Sequence, residues 1–216
     1  MKKTLVLLAL ASALPLAAQS FEVGALYTWN PTKTQSADPL GPSMPIDMKV
    51  DTWKAAGLRF GYNFMSVGPL EVQGNATVQF NNSEDFNWSD GSSSIKVGTV
   101  DYKYWAVGAA VNWNFLVRLG VGLEYRSESL SSKYSAFVPS QYNTSTTYRR
   151  PWIRATAGYV FPSPIVKPFI GIEAAIPVTS TSFSSSDLSG TNPNFDKLNK
   201  SLAPKAQYGI YAGIRF

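Results

Sequence analysis

Apolar and polar positions alternate along most of this chain with a period of two. At the end of the sequence Tyr208, Ile210, Ala212, Ile214 and Phe216 share one side of an extended strand, while Gln207, Gly209, Tyr211, Gly213 and Arg215 share the other. The same alternation predicts strands over 21–29, 53–64, 70–81, 100–113, 117–126, 150–161 and 166–176. The stretch 70–81 is the cleanest. Leu70, Val72, Ala76, Val78 and Phe80 oppose Glu71, Gln73, Asn75, Thr77 and Gln79. A polar row this complete faces water or a polar lumen rather than an apolar core. Pro168 is the one awkward residue, because proline cannot donate to a ladder and belongs near a strand start.

The connections have a rhythm. Long polar stretches at 30–51, 82–98, 127–149 and 177–205 alternate with short turns at 65–69, near Asn114 and Phe115, and at 162–164. Eight strands joined long, short, long, short fit an antiparallel up-and-down β-barrel. An even count brings both termini to the short-turn side. A soluble eight-stranded barrel would bury its apolar row inside. Two features favour a barrel with that row turned toward lipid. No residue of the apolar rows is charged. Aromatics also recur at both ends of the rows. Phe21, Phe64, Trp113, Tyr159, Phe161 and Phe216 lie at one end, and Trp29, Trp53, Phe80, Trp105, Tyr125 and Tyr208 at the other. Two aromatic belts suit two membrane interfaces.

Composition agrees with this picture. Charged residues are 15% of the chain, against about 25% in ordinary soluble domains. Aromatics are 13%, and the mean hydropathy of −0.08 excludes a helical membrane protein. Residues 1–19 read as a secretory signal: Lys2 and Lys3, then a Leu/Ala/Val run too short to span, then small residues for cleavage after Ala18 or Ser20. Removing the two leader lysines lowers the net charge from +5 to +3, too mild to imply nucleic acid. The chain has no Cys and no His. Thiol chemistry and Fe–S clusters are thereby excluded. The usual general base and the commonest transition-metal ligand are missing too.

The inward rows carry the candidate site: Glu22, Arg59, Glu71, Arg118, Glu124, Arg126, Arg154, Lys167, Glu173 and Arg215. Counting from the short turns puts Glu124, Arg154 and Glu173 at similar height, with Arg59 able to reach across. Glu22 and Arg215 lie low on the first and last strands, which pair when a barrel closes. Small barrels fill their interior with side chains, and buried ions need partners, so a salt-bridge network is expected. A narrow gated path through the network is the competing reading. No catalytic, cofactor or metal site is expected. The stretch Glu84-Asp85 to Asp90-Gly91 lacks the acidic spacing of a calcium loop. Trp88, Tyr134, Phe137, Tyr142 and Tyr148 stand in polar loops, where they either contact a surface ligand or pack between loops.

With its leader, strand count, loop rhythm and terminal Phe216, the chain resembles the small bacterial outer-membrane barrels of the OmpA, OmpX and OmpW type. That resemblance implies export to the outer membrane and contact with its lipid and lipopolysaccharide. It also implies handling by periplasmic chaperones, and reading of Phe216 by the barrel-assembly machinery. It suggests two functions: a non-enzymatic structural or surface-interaction barrel, or a small porin-like transporter of ions or hydrophobic molecules. An outer-membrane enzyme is the weakest reading, since such enzymes typically use a catalytic His.

Overall fold

The computed structural model describes residues 20–37, 46–90, 92–134, 143–180 and 195–216. The expected leader, Phe137 and Tyr142 lie outside these. Among the described residues ten strands and one short helix follow in order: β1 (Ser20–Asn30), β2 (Gln35–Ala37), β3 (Ile46–Val50), β4 (Trp53–Val67), β5 (Leu70–Ser89), β6 (Ser94–Asn114), β7 (Arg118–Tyr134), β8 (Thr144–Val160), β9 (Lys167–Pro177), α1 (Phe195–Ser201) and β10 (Gln207–Arg215). β1, β4, β5, β6, β7, β8, β9 and β10 pair antiparallel with their neighbours, and β10 returns to β1 with Glu22 opposite Arg215. The sheet is therefore an eight-stranded closed barrel with up-and-down order. β2 and β3 are an addition at one end, where β3 pairs with residues 86–89 of β5.

Along the lower barrel the outward row is apolar and open, and the inward row is polar and buried. Val121 is 63% exposed and Ile172 62%, whereas Glu124 is 2% and Arg154 3%. This is the reverse of a soluble barrel. Such a surface is stable only against a solvent as apolar as itself. Trp105 and Trp113 bracket the apolar band on β6. Their eight-residue separation is about 27 Å along an extended strand. A tilt of roughly 40° reduces this to about 20 Å of height, comparable to the ~25 Å apolar band of transmembrane barrels.

The short turns are tighter than the sequence suggests. Gly68 and Pro69 alone join β4 to β5, and Gly68 takes φ 58°, the positive value a two-residue hairpin needs at its first central position. Pro168 of β9 and Pro151 of β8 sit where a neighbouring strand has just ended. The Pro168 carbonyl accepts from Phe161 N–H, one residue past β8, and the Pro151 carbonyl accepts from Val178 N–H, one residue past β9. A residue's N and C=O point to the same side of a strand. The missing donor of each proline therefore faces no ladder.

At the opposite end several expectations need correction. The stretches 82–98 and 127–149 are not simply loops. β5 runs to Ser89 and β6 starts at Ser94; β7 runs to Tyr134 and β8 starts at Thr144. The stretch 30–51 contains β2 and β3, and 177–205 contains α1. The ladders continue because a second core forms there. Met48, Val50, Phe86, Val100, Tyr102, Leu130, Leu198 and Leu202 are buried together. Trp53 belongs to this core and not to an aromatic belt. It is fully buried, its indole N–H donates to the Val100 carbonyl at 3.2 Å, and its ring lies 5.1 Å from Tyr102. It shares the parity of Gly57 and Arg59, which face inward. Trp88, Tyr134 and Tyr148 pack against the same core as partly buried rings.

Candidate functional site: the charged lumen

The inward residues form layers, described here from the short-turn end upward. At the mouth Arg215 donates to Glu71, and its Nε donates to Ser20 Oγ at 3.1 Å. Arg215 Nε also lies 3.7 Å from Glu22 Oε1, so it faces inward and reaches both carboxylates. Lys167 is exposed and lines an open mouth of about 1150 Å³ together with Glu71, Arg215 and Phe216. One layer higher, Arg118 Nη1 donates to Glu22 at 2.5 Å, and Gln73 donates to the other Glu22 oxygen at 2.8 Å.

The middle layer joins five strands. Arg59 Nη1 donates to Glu173 at 2.5 Å, and its Nε donates to Thr77 at 3.0 Å. Arg154 Nη1 lies 3.0 Å from Glu124 Oε2, while Arg126 is paired with the other Glu124 oxygen. Alternation puts each of these residues inside. Strand stagger then brings Arg59 of β4 to Glu173 of β9, across the lumen.

Above this lies a layer that sequence reading did not assemble. Gln207 donates to Glu173 at 2.8 Å and accepts from Arg126 at 2.8 Å and from the Tyr104 hydroxyl at 3.0 Å. The Arg126 guanidinium lies 3.9 Å from the Trp152 ring centroid and 4.3 Å from that of Tyr104. Cation–π contact of this kind is worth about 2 kcal/mol when desolvated. Higher still, Glu128 accepts from Arg150 and from the Tyr102 hydroxyl, and Arg150 Nη2 donates to the Pro204 carbonyl at 2.7 Å. Glu128, Arg150 and Trp152 were not assigned to the lumen from sequence, whereas Gln207 was placed on the inward side of the last strand without a partner. Parity carried the signal: 128, 150 and 152 continue the inward rows of 124, 126 and 154.

A cap closes the far end. α1 lays Leu198 into the apolar core. Asn199 accepts from Ser132 and donates to the Leu130 carbonyl at 3.2 Å, and Asp196 accepts from Thr146. Hydrogen bonding to Thr146 and pairing with Lys200 hold the Asp196 carboxyl below its ordinary value. Burial raises the Tyr134 and Tyr148 hydroxyls. Lys205 is pushed down to about 8, first by burial and then by Arg150 and Lys33.

No protein-family model matches the chain, and no curated protein sequence does. Solved structures do match. OprG from Pseudomonas aeruginosa is similar over 92% of this chain and 96% of its own, with a TM-score of 0.55 and 12% identity. The fold is that of the small bacterial outer-membrane β-barrels. Neisserial surface protein A matches over 92% of this chain and 96% of its own, at 12% identity and a TM-score of 0.49. Ail of Yersinia pestis, solved with the heparin analogue sucrose octasulfate, covers 92% of this chain and 99% of its own, at 15% identity and a TM-score of 0.46. In such barrels the short turns are periplasmic and the longer connections extracellular. The mouth beside Phe216 corresponds to the short-turn end of such barrels, and the cap of α1, β2 and β3 to the end of the longer connections.

Proposed function

We propose that this chain is a non-enzymatic outer-membrane barrel with a structural or surface-interaction role, its lumen plugged by the ionic layers. The observation that carries the reading is double closure. The cavity among the ionic layers measures only about 30 Å³, and above it the interior turns apolar and is covered by α1. Lipid and lipopolysaccharide surround the outward rows, and the capped end is the surface offered to other molecules. Trp88, Tyr134 and Tyr148 are committed to the cap core, so the candidate surface lies on its polar outer wall rather than on those rings. Phe216 is proposed as the signal read during barrel assembly.

Planar-bilayer recording of the refolded barrel tests the plug. Electrical silence is expected. Steady unitary currents that change in Arg59→Ala or Arg154→Ala would sink it and favour the porin-like alternative. Turnover of a lipid or peptide substrate would sink the non-enzymatic reading.

A further inference from the structure

The ionic layers inside the membrane band are not balanced. Arg59, Arg118, Arg126, Arg154 and Arg215 face Glu22, Glu71, Glu124 and Glu173, five cations against four carboxylates. Three of the carboxylates can be matched one to one with Arg59, Arg118 and Arg215. Glu124 alone must serve two guanidinium groups, Arg126 and Arg154. The surplus charge therefore sits at that triad. Arg126 spreads its charge over two aromatic rings, while Arg154 borders the cavity below it. An unmatched charge at this depth is costly unless something neutralises it.

The cavity wall has a matching chemistry. Among its lining residues the fully buried side-chain polar atoms without a well-directed hydrogen bond are Arg154 Nε and Nη1, Arg118 Nε and Nη2, Arg59 Nη2 and Asn112 Nδ2. All are N–H donors. Arg154, Arg118 and Asn112 are each more than nine-tenths buried. Glu22, the one carboxylate in the wall, is occupied by Arg118 and Gln73. The Thr156 and Tyr211 hydroxyls and the Asn112 amide oxygen also line the wall and can accept, but they carry no charge; an anion meets the spare N–H groups and the surplus positive charge together. Glycines clear the space. A Cβ at Gly120 would come within 2.4 Å of Asn112 Oδ1 and Thr156 Oγ1. The volume of about 30 Å³ exceeds the ~10–15 Å³ a single water needs, which leaves room for a monatomic ion.

We propose that this cavity binds one monatomic anion of the halide class, held between Arg154, Arg118 and Asn112, as the counter-charge of the Arg126–Glu124–Arg154 triad. Its entry side is the open mouth past Arg215. The anion locks the ionic layers in place and stabilises the folded barrel. The proposal goes beyond the plugged-barrel reading and does not depend on it, since its readouts are a density peak and an unfolding midpoint rather than a current.

Bromide is the probe. In crystals of the refolded full chain grown in sodium bromide, anomalous scattering is expected to show a peak inside the cavity. In detergent, the unfolding midpoint is expected to rise with the logarithm of bromide concentration at constant ionic strength, with gluconate as the replaced ion. Arg154→Met should abolish the bromide-dependent part of the shift, and Arg215→Met, at the mouth, should keep it. A map with no peak in the cavity would overturn the proposal, as would an equal bromide shift in the Arg154→Met protein. If that variant does not fold, the wild-type map decides.

Discussion

The apolar-walled band and the cap are built from the same strands and have opposite interiors. β6 shows this best. Between Trp113 and Trp105 its outward row is Val111, Ala109 and Val107, and its inward row includes Asn112 and Ala110. Above Trp105 the inward row becomes Tyr104, Tyr102 and Val100, all buried, while Lys103 faces out. The backbone ladder with β7 crosses this change without a break. What changes is the solvent. Lipid lets the apolar row face out and leaves polar groups to satisfy one another inside; water reverses both. On β5 the reversal needs a device. Its register with β6 shifts between Gln79 and Asn82, so inward positions change from odd to even and Phe86 enters the cap core.

Four measurements would break or sharpen this contrast. The largest effect is expected from Glu124→Ala, which leaves Arg126 and Arg154 without their carboxylate. Urea unfolding in lipid vesicles should show a loss of about 3–5 kcal/mol. Leu123→Arg comes next. Leu123 pairs with Ala109, midway between the two tryptophan levels, and arginine there should cost about 2–4 kcal/mol. The same change at Thr147, outward on the cap, should stay within about 0.5 kcal/mol by the same unfolding titration. Equal costs at the two sites would end the comparison.

Leu198→Ala removes a buried side chain from the cap, at about 2 kcal/mol or more. Hydrogen exchange should rise in α1 and in the upper parts of β7 and β8. The heat-dependent gel shift expected of the folded barrel should persist. Loss of both together would mean one cooperative unit rather than two. The smallest effect concerns Lys205. Its folded pKa of about 8 lies below the ordinary value of 10.5, so between these values the unfolded chain binds more protons. Cap stability should therefore rise as pH climbs from about 8. Tyr134 and Tyr148 oppose the gain above pH 10, because their raised folded values favour the unfolded state once free tyrosine ionises. Lys205→Met should flatten the rise, as read by tryptophan fluorescence during unfolding.

The membrane band was legible because its pattern is local. A two-residue period assigns each side chain to a face, so Arg59, Glu71, Arg118, Glu124, Arg154, Glu173 and Arg215 follow from parity alone. The cap was not legible in the same way. Its strands alternate Ser, Thr, Tyr and Asn with few apolar residues, a composition that reads as loop. Its core draws Met48, Phe86, Leu130 and Leu198 from four distant segments, and none of those segments is amphipathic enough by itself. Trp53 shows the cost of reading residue type before parity. An aromatic at a strand end suggests a belt, yet its odd number places it with Arg59.

The sequence alone therefore determined a closed barrel and which row of each strand turns outward, since both follow from periodicity and from the cost of exposing the wrong group. Only the tertiary structure decided who pairs with whom. Strand stagger sets relative height, and it brings Arg59 to Glu173 and gives Glu124 two arginines to serve. It also decided where the polar interior ends. That boundary depends on contacts among residues up to about 150 positions apart, such as Met48 and Leu198, which no local pattern encodes.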